Sequence, residues 1–216
     1  SLLNGATLCA FDARSESLDD LAELIRRERI SILTLTPSLF RRFMKSAPSD
    51  LDFSSVKKLR IGADVTTIAD VEAYKAHFPR GCTLERVFNT SETALVLHMS
   101  IDHDTPIPGP LVPMGRPRPG VTVRVIDEEG NDVADGEAGQ LVVRSPYVVD
   151  GYWNAPELTA QKFILDGGTN TFFTGDLVKR DAEGLYYFVG RKDARLKIHG
   201  RRIDPLEVES ALVAQT

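Results

Sequence analysis

The sequence predicts an α/β chain in three successive parts. These are part of a doubly wound sheet over residues 1–105, a small antiparallel β-barrel over 106–192, and a hinge with the start of an α+β domain over 193–216. Two observations carry this. Strand-like and helix-like runs alternate up to about residue 100, the grammar of βα units and a mostly parallel sheet. Beyond a proline-rich stretch from Pro106 to Pro119, which suits neither a helix nor a central strand, short apolar runs punctuated by Gly130, Gly136 and Gly139 take over.

In chain order, Ala6 to Ala10 is a short apolar run. Ser17 is placed to cap a helix whose Leu18, Leu21, Leu24 and Ile25 recur at helical spacing. A β-rich run at Ile32 to Leu35 follows, and then Pro37 stands where a first helical turn tolerates proline, leading into Leu39, Phe40 and Phe43. Residues 56–61 predict a strand, 68–78 a helix, and 84–88 and 95–99 two further strands. In the second part, 121–125, 141–143 and 185–189 predict strands, with one short helix over 156–163. The third part offers a strand at Lys197-Ile198, a turn at Gly200, a return at Arg202-Ile203 and a helix from Pro205.

The 216 residues are 42% hydrophobic and 26% charged, the make-up of a globular protein that buries a core. A net charge of −5 argues against a nucleic-acid partner, which needs a clustered basic face. Arg26-Arg27 and Arg41-Arg42 read as solvated helix faces. Cys9 and Cys82 share no CxxC spacing, so neither a disulfide framework nor a zinc site is expected, and a cytoplasmic setting is. No apolar run reaches the roughly 20 residues that span a bilayer, so no membrane partner is expected. Ser1 is not an initiator Met, and the chain reads as a piece of something longer.

Several residues could carry chemistry. A carboxylate placed by a tight Thr174-Gly175 turn, Asp176, suits a vicinal diol such as a ribose 2′,3′-pair. Arg191 at a strand end could reach a phosphate or the same ribose, although Gly and Asp here could equally be plain turn-formers. In Phe88-Asn89-Thr90-Ser91-Glu92, Ser91 could bond a phosphate oxygen, Glu92 could hold Mg²⁺ and Phe88 could stack on a base. A helix N-cap is the plainer alternative there. His98, Asp102, His103 and Asp104 are a possible metal set, with a solvated loop the favoured reading.

Together these segments resemble the adenylate-forming superfamily, whose members include peptide-synthetase adenylation domains, acyl-CoA synthetases and luciferases. FFTGD ending at Asp176 and GRKDARLKIHGRRIDPLEVE from Gly190 are similar to the family's seventh and eighth core motifs. The stretch from Phe88 to Glu92 resembles the fifth, YGxTE, with Asn89 in place of Gly. Gly62-Ala63-Asp64 resembles a GGE turn, and GQLVVRSPYVVDG followed by Tyr152 resembles the sixth motif, taken as structural.

The resemblance implies ATP-dependent activation of a carboxylic acid, such as an amino acid, as an acyl-adenylate, followed by transfer to a phosphopantetheine thiol. The thiol belongs to a carrier protein, as GRKDARLKIHGRRI suggests, or to CoA, as the Pro205 to Glu209 stretch would fit. It implies catalytic roles for Ser91, Glu92 and Arg191, with Mg²⁺ on Glu92. It also implies ATP/AMP contacts from Gly62, Ala63, Asp64, Phe88, Asn89, Thr90, Asp176 and Arg191, and an acyl pocket lined by Gly62 and Thr93 to Val96. Asp193 falls at the family's hinge and Gly200 at its thiol channel. The family's glycine-rich phosphate loop and its C-terminal catalytic Lys have no counterpart in residues 1–216, so the isolated segment is expected to be inactive. A nucleotide-binding or interaction module without catalysis is the alternative.

Overall fold

The computed structural model describes residues 4–48, 50–62, 64–107, 109 and 111–192, and the backbone of 196–198 and 201–203. The chain divides into two compact units. One is Ser1–Arg86 with Ser100–Pro110, and the other is Val87–Met99 with Leu111–Thr216.

In the first unit every helix starts where local chemistry satisfies its free N–H groups. α1 (Leu18–Arg27) opens on a capping box in which Ser17 Oγ accepts from Asp20 N–H at 3.1 Å and Asp20 accepts from Ser17 N–H at 2.8 Å. α2 (Pro37–Ser46) has Thr36 as cap and Pro37 in its first turn. α3 (Ile68–His77) repeats the box with Thr67 and Asp70. β1 (Ile32–Leu35) pairs in parallel with β2 (Lys58–Gly62), Ile32 opposite Lys58. The start of β3 (Thr83–Thr90) and the end of β4 (Ala94–Ile101) continue the order β1-β2-β3-β4.

Leu33 and Leu35 of β1 and Leu59 and Ile61 of β2 turn inward on alternate positions, where Ile25, Phe40, Phe43 and Tyr74 complete the core. Phe53 and Phe78 stack with ring centres 4.3 Å apart. Asp70 is 1% exposed yet fully employed. Besides capping α3, it accepts both arms of Arg41 at 2.8 and 2.7 Å, tying α2 to α3. Ala6 to Ala10 forms no strand and leaves Leu8 67% exposed, because no strand edge among the described residues takes it up.

In the second unit the remaining halves of β3 and β4 make a hairpin through residues 91–93, and β5 (Arg116–Pro117) lies beside β4 with His98 opposite Arg116. The other strands are β6 (Thr122–Ile126), β7 (Ala138–Ser145), β8 (Phe163–Ile164), β9 (Asn170–Arg180) and β10 (Tyr186–Arg191). They form an antiparallel sheet in the order β10-β9-β7-β6, with β8 on β9. Among the described residues β6 does not pair with β10, so this is an open sheet and not the closed barrel that the short alternating runs suggested. So few strands close poorly, and the inner face is instead covered by Val96, Leu97, Met114, Val148 and Phe163. α4 (Pro156–Lys162) is the short helix expected. β11 (Leu196–Ile198) and β12 (Arg201–Ile203) pair antiparallel, matching the strand and return read from Lys197 to Ile203. Asp193, Gly200 and the helix expected from Pro205 lie outside the described residues.

One glycine of this unit is required by its surroundings. Gly115 adopts φ +105, a Cβ added to it would collide with the His98 carbonyl, and its own carbonyl accepts from Tyr186 N–H at 3.1 Å. Gly115→Ala adds both a left-handed penalty and a collision with backbone. A loss of more than about 2 kcal/mol is expected, read from the urea midpoint; a loss under about half that contradicts the packing described.

Candidate functional site

Thr174, Gly175 and Asp176 do not form the tight turn their composition suggests. They lie inside β9, an 11-residue strand. Val142 of β7 faces Phe173 and Gln140 faces Leu177, so all three stand opposite Leu141 alone. This is a β-bulge, and Gly175 at φ +78 is its left-handed residue. Thr174 Oγ1 locks it by donating to the Leu141 carbonyl at 2.8 Å and accepting Asp176 N–H at 3.0 Å.

The bulge turns the Asp176 side chain toward Arg191, the last residue of β10 and its register partner. Arg191 Nη1 donates to Asp176 Oδ1 at 2.9 Å, with the carboxylate side chain 8% exposed and the guanidinium 44%. A Cβ on residue 175 would stand 3.3 Å from Arg191 Nη2 and 3.7 Å from Lys162 Nζ, so it is the φ of +78, more than lack of space, that favours glycine here. Beside the bulge is a cavity of about 500 Å³ whose lining includes Gly175, Lys162 and Lys192 together with Asp127, Glu128 and Glu129, and does not include Asp176 or Arg191. An anchored acceptor-only carboxylate and a planar cation are chemically suited to a hydroxyl pair and a phosphate.

The second cluster sits at the β3–β4 hairpin. Residues 91–93 form its turn, so the helix cap weighed from the sequence is absent there, and Ala94, just past the turn, takes a φ of +56. Asn89 is an exposed position of β3, Ser91 is exposed, and Thr90 Oγ1 meets Thr93 Oγ1 at 2.9 Å. Glu92 accepts from Tyr152 OH at 2.7 Å through Oε1 and from Val149 N–H at 2.9 Å through its carbonyl. Burial pushes the Glu92 carboxyl up. The Tyr152 hydrogen bond, bonds from its own backbone and Thr90, and the Arg191 charge outweigh it and hold the group below its ordinary value. Burial first, then the Glu92 carboxylate, pushes the Tyr152 phenol up to about 12, against the pull of Arg191. The same guanidinium therefore acts electrostatically on Glu92 and Tyr152 and pairs with Asp176, which brings four of these side chains into one neighbourhood.

Other sequence candidates fall elsewhere. Phe88 packs its half-buried ring against the second unit's core, and Val96 is part of that core rather than a pocket wall. Thr93 is also fully buried. Gly62 ends β2 in the first unit, and Asp64 there is exposed and accepts from Val65 N–H at 2.7 Å. Ala63 lies outside the described residues.

Among the described residues no cluster of three or more His, Cys, Asp and Glu could hold a metal. Asp102 instead accepts from Thr105 and Asp104 in a turn, His103 bonds the Phe78 carbonyl at 3.0 Å, and Asp104 pairs with Arg80 at 3.0 Å. Sequence reading placed Tyr152 in a structural motif and missed it as a neighbour of Glu92, and with 60 positions between the two no local signal joins them.

The α/β unit, the antiparallel sheet and the Thr-Gly-Asp bulge can be set beside known proteins. The AMP-binding enzyme family matches residues 1–153, and the chain belongs to it, within the adenylate-forming superfamily. Pyochelin synthase PchD of Pseudomonas aeruginosa is 35% identical over 193 residues, covering 88% of this chain and 34% of that protein. Tyrocidine synthase 3 of Brevibacillus parabrevis is 34% identical over 197 residues, 89% of this chain and 3% of that one. The anthranilate CoA ligase AuaEII, solved with anthranoyl-AMP, superposes with a TM-score of 0.76 at 27% identity, covering 95% of this chain and 38% of that chain. IdnL1 gives 0.75 at 25% identity over 88% and 40%. The chain thus spans well under two thirds of each of these proteins. No helix among the described residues is long and apolar enough to cross a membrane.

The electrostatics give a direct check. Glu92, with a depressed folded value, contributes stability above the ordinary carboxylate range, and that contribution is lost as pH falls through the folded value. Tyr152 is neutral up to about 12, so its contribution is present below the ordinary phenol range and lost as pH rises through that value. Because Tyr74 and Tyr187 are also pushed up to about 12, the Tyr152 step is read as the difference in phenolate absorbance between wild type and Tyr152→Phe, and Glu92→Gln should move it downward. An unmoved step would mean that the 2.7 Å contact is not made in solution.

Proposed function

We propose that this segment supplies the ribose-binding and metal-holding part of an ATP-dependent ligase that activates a carboxylic acid, such as an amino acid, as an acyl-adenylate and passes it to a phosphopantetheine thiol on a carrier protein. The observation that carries the reading is the Asp176–Arg191 pair set by the Gly175 bulge, 2.9 Å from oxygen to nitrogen. Asp176 accepts the two ribose hydroxyls, and Arg191, more exposed, moves to the ribose or phosphate while staying within reach of Asp176. Phe88, Asn89 and Thr90 flank the base and Ser91 donates to a phosphate oxygen.

The residues present fit Mg²⁺, which keeps several waters and takes one or two carboxylates together with nucleotide phosphates. Glu92 is such a carboxylate, half-buried and held ionised. When bound, the ion neutralises charge on the transferring phosphoryl group. In the first half-reaction the acid's oxygen attacks the α-phosphorus and pyrophosphate leaves. In the second a thiol sulfur attacks the acyl carbon and AMP leaves. The proposed roles of Asp193 as hinge and Gly200 as thiol-channel residue belong to the turnover between the two. CoA as the acceptor is the second reading, favoured by the superposition on a CoA ligase at TM-score 0.76. Without the family's phosphate loop and C-terminal Lys, the isolated segment is proposed to bind nucleotide without catalysing exchange.

Thermal unfolding with and without AMP, in wild type and Asp176→Ala, tests this. AMP at about 100 times its dissociation constant adds roughly 2.7 kcal/mol, or roughly 5 to 10 °C in a domain of this size. The shift should vanish in Asp176→Ala. An equal shift in both proteins would contradict the assignment of Asp176.

A further inference from the structure

Glu92 is gripped by one loop at two points, since Val149 N–H donates to its carbonyl at 2.9 Å and Tyr152 OH to its Oε1 at 2.7 Å. That loop is itself fastened. Asn170, 3% exposed at the start of β9, donates to the Asp150 carboxylate at 2.9 Å and to the Val148 and Val149 carbonyls at 3.4 Å, and accepts from Asp166 N–H at 3.1 Å. Tyr152 N–H donates to Thr159 Oγ1 at 2.9 Å, and the Tyr152 ring meets Phe163 edge-on with centres 5.3 Å apart. Gly151, at φ +128, has Thr159 packed where a Cβ would be. The phenol is thus locked by its backbone, its ring and its neighbours before it reaches Glu92.

We propose that Tyr152 is a positioning residue for Glu92. Its hydroxyl pins Oε1 and so sets the direction from which the carboxylate meets the divalent cation of a metal–nucleotide complex. A glutamate on a hairpin turn otherwise samples several rotamers, and each costs orientation when a metal with strict geometry is to be met. Partners one shell beyond a metal ligand typically change metal affinity by a further factor of 10 to 100 when removed. Main-chain and side-chain holds on a single residue, supplied by one rigid loop, are what preorganisation of a ligand requires. The proposal rests on the reading of Glu92 as the metal-holding carboxylate.

The test compares wild type, Tyr152→Phe, Glu92→Gln and the double variant of the full chain. The probe is Mn²⁺ with α,β-methylene-ATP, followed by the electron paramagnetic resonance of Mn²⁺, against binding of the same nucleotide in chelator. Tyr152→Phe keeps the ring on Phe163, and the thermal midpoint monitors folding. The expected result is Mn²⁺–nucleotide binding weakened about tenfold in Tyr152→Phe, chelated-nucleotide binding changed by less than about twofold, and a double variant no weaker than Glu92→Gln alone.

Weakening that is equal with and without metal would make Tyr152 a structural residue and overturn the proposal. So would a double variant whose loss is the product of the two single ones. Unchanged Tyr152→Phe beside a weakened Glu92→Gln sinks the positioning role and leaves the metal role of Glu92 intact. An unchanged Glu92→Gln removes the metal role, and the proposal falls with it.

Discussion

The site depends on one backbone irregularity. A regular β9 would alternate its side chains across the sheet, and Asp176 would then be held by strand geometry alone. Three residues set against Leu141 break that alternation, and Thr174 Oγ1 closes the break at both ends, on the Leu141 carbonyl and the Asp176 amide. The strand keeps its ladder on either side of the bulge, so a carboxylate is aimed without destabilising the sheet that carries it. Glycine at residue 175 is favoured by its φ of +78, a left-handed conformation that other residues adopt at a cost.

The hairpin between β3 and β4 solves a different problem. Turns are exposed and mobile, and a glutamate on one is poorly directed. Here the turn is backed by a loop that Asn170 holds at three acceptors, and Glu92 is anchored through both its main chain and its side chain. Arg191 connects the two clusters electrostatically, stabilising the carboxylate of Glu92 while its guanidinium lies on Asp176. The second unit thus carries two carboxylates that share one cation as electrostatic partner.

What was legible in the sequence was local. Ser17 as a helix cap, Pro37 in a first helical turn and the β-rich run from Ile32 to Leu35 specify their elements through neighbours a few positions away, and the structure shows a cap, a helix and a strand there. What was not legible depends on distant pairing. Thr-Gly-Asp has the composition of a turn, and only Leu141, 33 positions away, makes it a bulge. Glu92 and Tyr152 are 60 positions apart, so no periodicity joins them. The open edge between β6 and β10 likewise follows from which strands pair, which alternating apolar runs leave undetermined. Motif resemblance placed Asp176, Arg191 and Glu92 in the chain; the bulge and the loop at Val149 and Tyr152 explain physically why those positions hold those residues.

A crystal structure of the AMP complex would test the central claim most directly. The account predicts the 2′ and 3′ hydroxyls about 2.5 to 3.0 Å from the Asp176 carboxylate oxygens, with the Gly175 bulge unchanged and Arg191 still beside Asp176 or turned onto the ribose or phosphate. A ribose bound away from β9, with Asp176 still closed by Arg191, would contradict it.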